Sequence, residues 1–548
     1  MELRDSRPLK SGGTAVRTQS LGARALLVAV GLLLAGCGGT APVRPLDGSS
    51  GPVLIVARVK DAVTLDPAQA SDGMSLNVSR EIVKGLVQFR PGTFEIDPAI
   101  AQSWNVSDGG LRWTFVLKKG LKFSDGTPVD AAAVKFNFDR WRLVSNPYHG
   151  SFRYPYYSDM FGGFPGLIED VQAVAPDRVA FTLQRPFAPF LHDLAMPTFG
   201  IGSPTAIRGD LAGFAEHPVG WGPYVLSEWV KGSHIVLRAN PSYPTQPTYQ
   251  TVVVRDIPDV AASVEAMKDG TVDVLTDPGP EAASLLARTP GITVYYQPAN
   301  NNAYLGMNMD RHPFDKLDVR EAIAYALDVR GIVKTYFPTG ARVANCWTPP
   351  GMSGDNPSVK AYPLDDREAR SLLTEAGFRH GFHTQLTYAN IPRPYMPDPQ
   401  GVASAIARQL RAVGIDVKLQ PLDWSVFLDR AHDGEHEMVL AGWSGDNGDP
   451  DNFMYSLLDK DSARRPNALN YSFWRDDAYH QLMLEGQATS DPAERAAIYE
   501  RANALIHDRV PSIPIVHVTV PIAARTSIAG FVPSADTSIN FEYLRPTG

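Results

Sequence analysis

Between Leu111 and Leu117 apolar residues fall two apart, with Arg112 and Thr114 between Leu111, Trp113 and Phe115, which is the period of a half-buried strand. Lys118-Lys119-Gly120 supplies the turn that follows. From Asp130 the period lengthens. Val134, Phe138 and Trp141 share one face of a helix, with Asp130 as its N-cap. A second helical stripe follows Asp318, through Val319, Ala322, Ile323, Ala326 and Leu327. The clearest unit lies between Gln400 and Gln420. There Val402, Ala405, Ile406 and Leu410 mark a helix that stops at Gly414, after which Ile415, Val417 and Leu419 alternate with Asp416, Lys418 and Gln420. Thr251 to Val254 and Val272 to Leu275 read as strands on either side of a helix from Asp259 to Lys268. Helix and strand alternate throughout without a fixed-period repeat, so the fold class is mixed α/β. The 45 prolines and 46 glycines fall mostly between these segments, which makes loops numerous and the natural carriers of function.

The length of 548 residues exceeds one ordinary domain and suits two or three lobes with a large core. Apolar residues at 44% and charged residues at 20% are values of a water-soluble globular body. A net charge of −8 without a basic patch argues against nucleic acid as a partner. The amino terminus is different in kind. Arg4, Arg7, Lys10, Arg17 and Arg24 precede an apolar run from Ala25 to Ala35, which ends in Leu34-Ala35-Gly36-Cys37. As a helix the run covers roughly 15–18 Å, about half the hydrocarbon thickness, so it does not serve as a stable membrane span. The pattern is that of a secretory signal with a lipobox. Residues 1–36 are expected to be removed, and Cys37 to carry the lipid that anchors the protein on the outer face of the cytoplasmic membrane. Residues 37–52, rich in glycine, serine and proline, form a flexible tether. With Cys37 assigned to lipid, Cys346 has no partner for an internal disulfide and reads as a small buried apolar residue.

Hydrolytic chemistry finds no motif to stand on. The chain has no Gly-x-Ser-x-Gly elbow, no His-Glu-x-x-His helix and no phosphate-cradling loop followed by lysine. His432 and His436 stand four apart, but Asp433-Gly434 between them predicts a turn rather than a metal-binding helix face. Asp449 and Asp451 fit a rigid loop around Pro450 as well as they fit calcium or glycosidase carboxylates. A secreted hydrolase is the distant alternative, and neither a cofactor nor a metal is expected.

Several stretches, taken together and in order, resemble the peptide and nickel class (family 5) of ABC-importer solute-binding proteins, and within it the dipeptide-binding branch. They include Leu65-Asp66-Pro67, Ala101-Gln102-Ser103-Trp104, Lys122-Phe123-Ser124-Asp125-Gly126-Thr127-Pro128, Gly222-Pro223-Tyr224, Asn240-Pro241-Ser242-Tyr243 and Val319-Arg320-Glu321-Ala322. The most telling is Gly442-Trp443-Ser444-Gly445-Asp446-Asn447-Gly448-Asp449-Pro450-Asp451-Asn452-Phe453. The resemblance implies a periplasmic-binding-protein-like fold with two ligand-gripping lobes, an extra lobe and a hinge. By that analogy residues 51–85, 205–302 and 506–548 make the first lobe, 86–204 the extra lobe and 303–505 the second gripping lobe. The implied partners are a short peptide and the permease and ATPase subunits of an importer, with the protein itself a monomer. Because the family includes haem and nickel-chelate binders, these are the alternative ligands.

A free peptide is a zwitterion, so a specific receptor presents one charge to each of its ends. The family pattern for the residue that pairs with the ammonium falls on Asp446, and the Arg-Pro-Tyr pattern for the residue that pairs with the carboxylate falls on Arg393. The residue types suit these tasks. A guanidinium meets a carboxylate in two parallel hydrogen bonds and stays charged at biological pH. An aspartate beside Gly445 accepts from an ammonium where the backbone comes close to the ligand, whereas without the family context Asp446 would read as a turn former. Trp443 is expected to supply a flat apolar wall. Trp221 stands where the family has a small residue and is expected to narrow or reshape the cleft. Tyr395 and Asn452 read as supports for these groups.

Overall fold

The computed structural model describes residues 51–297, 300–534, 536 and 538–547. The expected signal segment 1–36, Cys37 and the tether through residue 50 lie outside them. No helix among the described residues is long and apolar enough to cross a membrane.

Three sheets organise the chain. In the seven-stranded sheet the strands run, in spatial order, Ile292–Gln297, Val520–Arg525, Val274–Thr276, Val53–Arg58, Thr251–Asp256, His234–Ala239 and Tyr224–Val230. Its central strand Val53–Arg58 is parallel to both neighbours. Leu54 and Val56 face one apolar cluster and Ala57 the other. That explains why Thr251 to Val254 is apolar at nearly every position: the strand is buried throughout, as strands covered on both faces must be. The six-stranded sheet has the order Arg342–Val343, Ser512–His517, Asn301–Met307, Met438–Ser444, Phe382–Ala389 and Ile415–Leu422. It too has two covered faces. Met438 and Leu440 join one cluster, while Val439 and Ala441 join the other.

The four-stranded antiparallel sheet, Ala101–Ser107, Arg112–Leu117, Arg178–Leu183 and Ile168–Ala175, covers one face only. Trp113, Phe115 and Leu117 point into an aromatic core with Phe138, Trp141, Phe181 and Phe190, so strict alternation is visible in the sequence. The helix Ala131–Arg142 closes over it, and Asp130 caps it by accepting from the Ala133 backbone N–H at 2.9 Å.

The predicted elements and the observed ones differ mainly at their ends. The helix Pro399–Ala412 gives way at Gly414, whose φ of 99° lies in the left-handed region, to the strand Ile415–Leu422. The stripe after Asp318 forms a helix from Leu317 to Tyr325, so Ala326 and Leu327 are buried just beyond its end and Asp318 sits in its first turn. The strand expected from Val272 is Val274–Thr276.

Two crossings join the large sheets. One lies between Gln297 and Asn301, the other between His517 and Val520, and their ends are tied together: Asn301 Nδ2 donates to the Val518 carbonyl at 2.8 Å, and the Val518 N–H to Asn301 Oδ1 at 2.8 Å. Each sheet therefore draws its strands from well-separated segments of the chain. Asn301 and Asn302 open a strand of the six-stranded sheet, and Ser512–His517, within the range 506–548, pairs with that same strand. The physical reason is that strand membership is set by hydrogen-bonding partners some two hundred residues away.

Candidate functional site

In the six-stranded sheet three neighbouring strands are parallel: Ile415–Leu422, Phe382–Ala389 and Met438–Ser444. Their carboxyl ends share one edge, where the loops of an open α/β sheet form a crevice. Each of the three loops delivers one residue of interest. Trp424 follows the first strand, Arg393 the second and Asp446 the third.

Arg393 is half-buried. Its guanidinium carbon lies 4.1 Å from the centroid of the Trp424 ring, and its Nε is buried without a hydrogen-bond partner. Its loop is held by an Arg393–Met396 bridge and by Tyr395, whose ring covers Gly442 so closely that a Cβ there would overlap both the ring and the Asn302 carbonyl. The backbone of the strand leading to Asp446 is thereby the seat of the loop that carries Arg393. A fork of donors with one face on an indole and no anion engaged is ready for a carboxylate.

Asp446 is also half-buried. Its Oδ1 accepts from the Tyr156 hydroxyl at 3.2 Å, and its backbone N–H donates to Asn452 Oδ1 at 3.2 Å. Burial pushes its pKa up to about 6, against the opposing effect of the Tyr156 hydrogen bond. Asn452 also accepts from Trp443 Nε1 at 2.9 Å, so one buried amide fixes both the aspartate loop and the indole. Trp443 lies half-buried on the strand opposite Asn302, against the cluster around Tyr304 and Trp347. Gly445 exchanges hydrogen bonds with Asn300 at 2.7 Å in each direction, and a Cβ on it would strike the Phe453 ring. The tight approach at Gly445 is thus to the protein's own Phe453.

Trp221 sits elsewhere. It is 4% exposed, packs at 5.1 Å from the Tyr243 ring within the core of the four-stranded layer, and leaves its Nε1 without a partner. Its ring fills that core instead of lining the crevice occupied by Asp446.

The residues after Asp446 meet the four-stranded layer one after another. Tyr156, on the helix Pro155–Phe161, reaches Asp446; Asn447 Nδ2 donates to Asp193 Oδ1 at 2.7 Å; and the Phe94 ring lies on Gly448, whose φ is 66°. Beside these contacts the Ala188 N–H donates to the Gln487 carbonyl at 2.6 Å, and Arg185 Nη1 to Gln487 Oε1 at 2.6 Å. Asp449 is fully buried and bidentate with Arg495, including Nη2 to Oδ1 at 2.7 Å. Burial alone would raise its pKa, but Arg495 wins and holds it below the usual carboxylate range. Asp451 makes no ion pair among the described residues, and burial, with Asp449 beside it, lifts it to about 7 against the weaker pull of Arg495. The glycine and acidic residues of this stretch therefore serve interlayer docking as much as ligand chemistry.

Two cavities open along this seam, one of about 490 Å³ and one of about 700 Å³. Asn447, Asp451 and Asn452 line the first, and Gly448, Asp449 and Pro450 the second. Neither is lined by Asp446 or Arg393 themselves.

Other candidates lie apart. Cys346 is buried, and burial raises its thiol to about 11, which removes nucleophilic character. His432 ends the helix Trp424–His432, whereas His436 is buried, with Nε2 2.7 Å from the Tyr471 carbonyl and its pKa pushed by burial down to about 4. Sequence reasoning missed Tyr156, Trp424, Asp193 and Arg495. Trp424 alone left a signal, an aromatic residue directly after a strand end; the others are far from Asp446 in sequence and are joined to it only by the fold.

Comparisons with known proteins agree among themselves. A family model of the bacterial extracellular solute-binding proteins, family 5, in its middle region, matches residues 95–464. The chain is 35% identical over 463 residues to the dipeptide-binding protein of Escherichia coli (strain K12), covering 82% of this chain and 85% of that one. It is 31% identical over 503 residues to heme-binding protein A of Haemophilus influenzae, with 89% and 91% covered. Among solved structures, the ABC transporter-associated periplasmic binding protein DppA from Helicobacter pylori, in complex with the peptide STSA, superposes with a TM-score of 0.74 at 32% identity, covering 91% of this chain and 98% of that one.

Proposed function

The chain belongs to the bacterial extracellular solute-binding proteins of family 5, and from that premise we propose that it captures short peptides, from dipeptides to oligopeptides, and delivers them to an ATP-driven importer. The observation that carries this reading is the pair of unpaired opposite charges at one sheet edge. Asp446 and Arg393 leave the ends of adjacent parallel strands, neither is neutralised by a protein ion pair among the described residues, and both are half-buried. Asp446 takes the peptide ammonium, Arg393 its carboxylate, and Trp424 holds the guanidinium flat. Trp443 and Gly445 shape the loop, and side-chain preference is left to the surrounding cavities.

The lobes of this reading follow the sheets, and closure turns on the paired crossings near Asn301 and Val518. Lipid on Cys37 tethers a monomer to the membrane, where the loaded protein docks on the permease and its ATPase subunits. Binding in place of catalysis is the role of this family.

A second reading, haem, has one observation in its favour besides the name of the Haemophilus relative: the 700 Å³ cavity has walls that include Phe94, Ile96, Trp113, Leu191 and Met352, with His192 among them. Mass spectrometry of whatever is released on denaturing the purified protein, together with its visible absorption spectrum, separates the two. Recovered di- to tetrapeptides support the proposal. A Soret band with no peptide recovered sinks it.

A further inference from the structure

We propose that the 490 Å³ cavity next to the Asp446 loop is a subsite for a basic group of the ligand, so that peptides beginning with lysine or arginine are preferred. The inference rests on the peptide reading above and names the substrate class within it.

The walls of this cavity carry three carboxylates, Asp159, Asp193 and Asp451, and one cation, Arg185. Arg185 makes its hydrogen bond to the amide oxygen of Gln487 and forms no ion pair with these acids among the described residues. Asp451 accepts only neutral donors, Gln487 Nε2 at 3.0 and 3.1 Å and the Tyr499 hydroxyl at 3.4 Å. Asp193 is 1% exposed; its Oδ1 is held by Asn447, and its Oδ2 has no hydrogen-bond partner among the described residues. A buried carboxylate oxygen left in this state is costly, and a group that satisfies it gains most if it is both a donor and a cation.

The neighbouring 700 Å³ cavity shows the contrast. Its buried acid, Asp449, is met by two nitrogens of Arg495, so its wall holds no comparable deficit. Burial, helped by the neighbouring carboxylates, holds Asp193 well above the usual carboxylate range and Asp451 at about 7, outweighing the pull of the nearby Arg495.

Position ties the cavity to the ligand. Asn447 and Asn452 are in its wall; the first follows Asp446 in the chain and the second accepts from the Asp446 backbone N–H. On this proposal the first side chain of a peptide whose ammonium lies on Asp446 enters this space. Met160, Leu167 and Phe187 give an apolar path for a methylene stem before the acids are reached.

The test is calorimetric titration of the purified protein, freed of bound ligand, with lysyl-alanine, norleucyl-alanine and glutamyl-alanine, for the native protein and for Asp193→Asn. Norleucine keeps the stem and removes the charge. The expected order is lysyl first, by about tenfold or more over norleucyl, with glutamyl weakest, and a several-fold smaller lysyl advantage in the variant. If lysyl and norleucyl peptides bind equally well, the subsite inference fails and the peptide reading stands. If none of the three binds, the peptide reading fails and takes the subsite with it. The comparison within the native protein decides the matter even if Asp193→Asn does not fold, while an undiminished lysyl advantage in a folded variant also overturns the inference.

Discussion

Asp446 and Arg393 are charges with opposite problems. The aspartate is half-buried with a phenol as its hydrogen-bond donor, and burial lifts its pKa to about 6. An ammonium binds the ionised form, so a proton and the ligand compete for one carboxylate. Affinity for a neutral dipeptide is therefore expected to be full at pH 8 and to fall as pH drops through about 6, approaching tenfold per unit below it; titration calorimetry from pH 5 to 8 reads this directly. Replacing Asp446 by Asn keeps the shape and leaves the ammonium without its countercharge. The expected loss is about 3–5 kcal/mol, a large share of the roughly 8 kcal/mol of micromolar binding, and an affinity within threefold of native would contradict the assignment. The types and numbers of these two residues were legible in sequence through the family pattern. Their surroundings were not, because Tyr156 is 290 positions away from Asp446 and Trp424 reaches Arg393 from a different strand.

At the scale of elements, the strand Met438–Ser444 and its loop do two jobs at once. Its glycine is a seat: Gly442→Ala is expected to displace the Tyr395 ring, destabilise the protein by about 1–3 kcal/mol and weaken peptide binding further by moving Arg393, seen as a lower denaturation midpoint together with a raised Kd. The loop after it is a dock. Arg495→Ala leaves Asp449 buried and unpaired, with an expected cost of about 3–5 kcal/mol in denaturant unfolding, while Arg501→Ala, at an exposed pair with Glu485, should change stability by less than about 1 kcal/mol. Helices and strands were readable wherever one period dominated, as at Trp113, Phe115 and Leu117 or between Pro399 and Leu422. Ends were less readable. Ala326 and Leu327 continue the apolar stripe because they remain buried after the helix has stopped, and burial, not helicity, is what the stripe reports.

For the whole molecule, the seam between the four-stranded layer and the six-stranded sheet carries polar contacts and leaves Asp193 Oδ2 without a partner among the described residues, which suits a surface that opens and closes. Tyr156 is the member of that seam in contact with Asp446, the carboxylate proposed to meet the ammonium. Tyr156→Phe removes one interlayer hydrogen bond, worth about 1 kcal/mol, and also a donor that keeps Asp446 acidic. Two outcomes are expected together: a larger radius of gyration by small-angle scattering in the ligand-free protein, and a shift of the acid limb of binding to higher pH. A purely structural tyrosine would move the first and leave the second in place.

The amino-acid sequence by itself determined the class of the fold, most of its regular elements and, by resemblance, the two charges proposed to meet a peptide, because periodicity and local motifs are properties of residues close together in the chain. Only the tertiary structure decided which strands share a sheet, that Ser512–His517 pairs with Asn301–Met307, that Trp221 fills a core, and that Asp193 and Asp451 share the wall of one cavity. Those facts depend on desolvation and on partners brought together from distant segments, and no window along the chain contains both sides of such a contact.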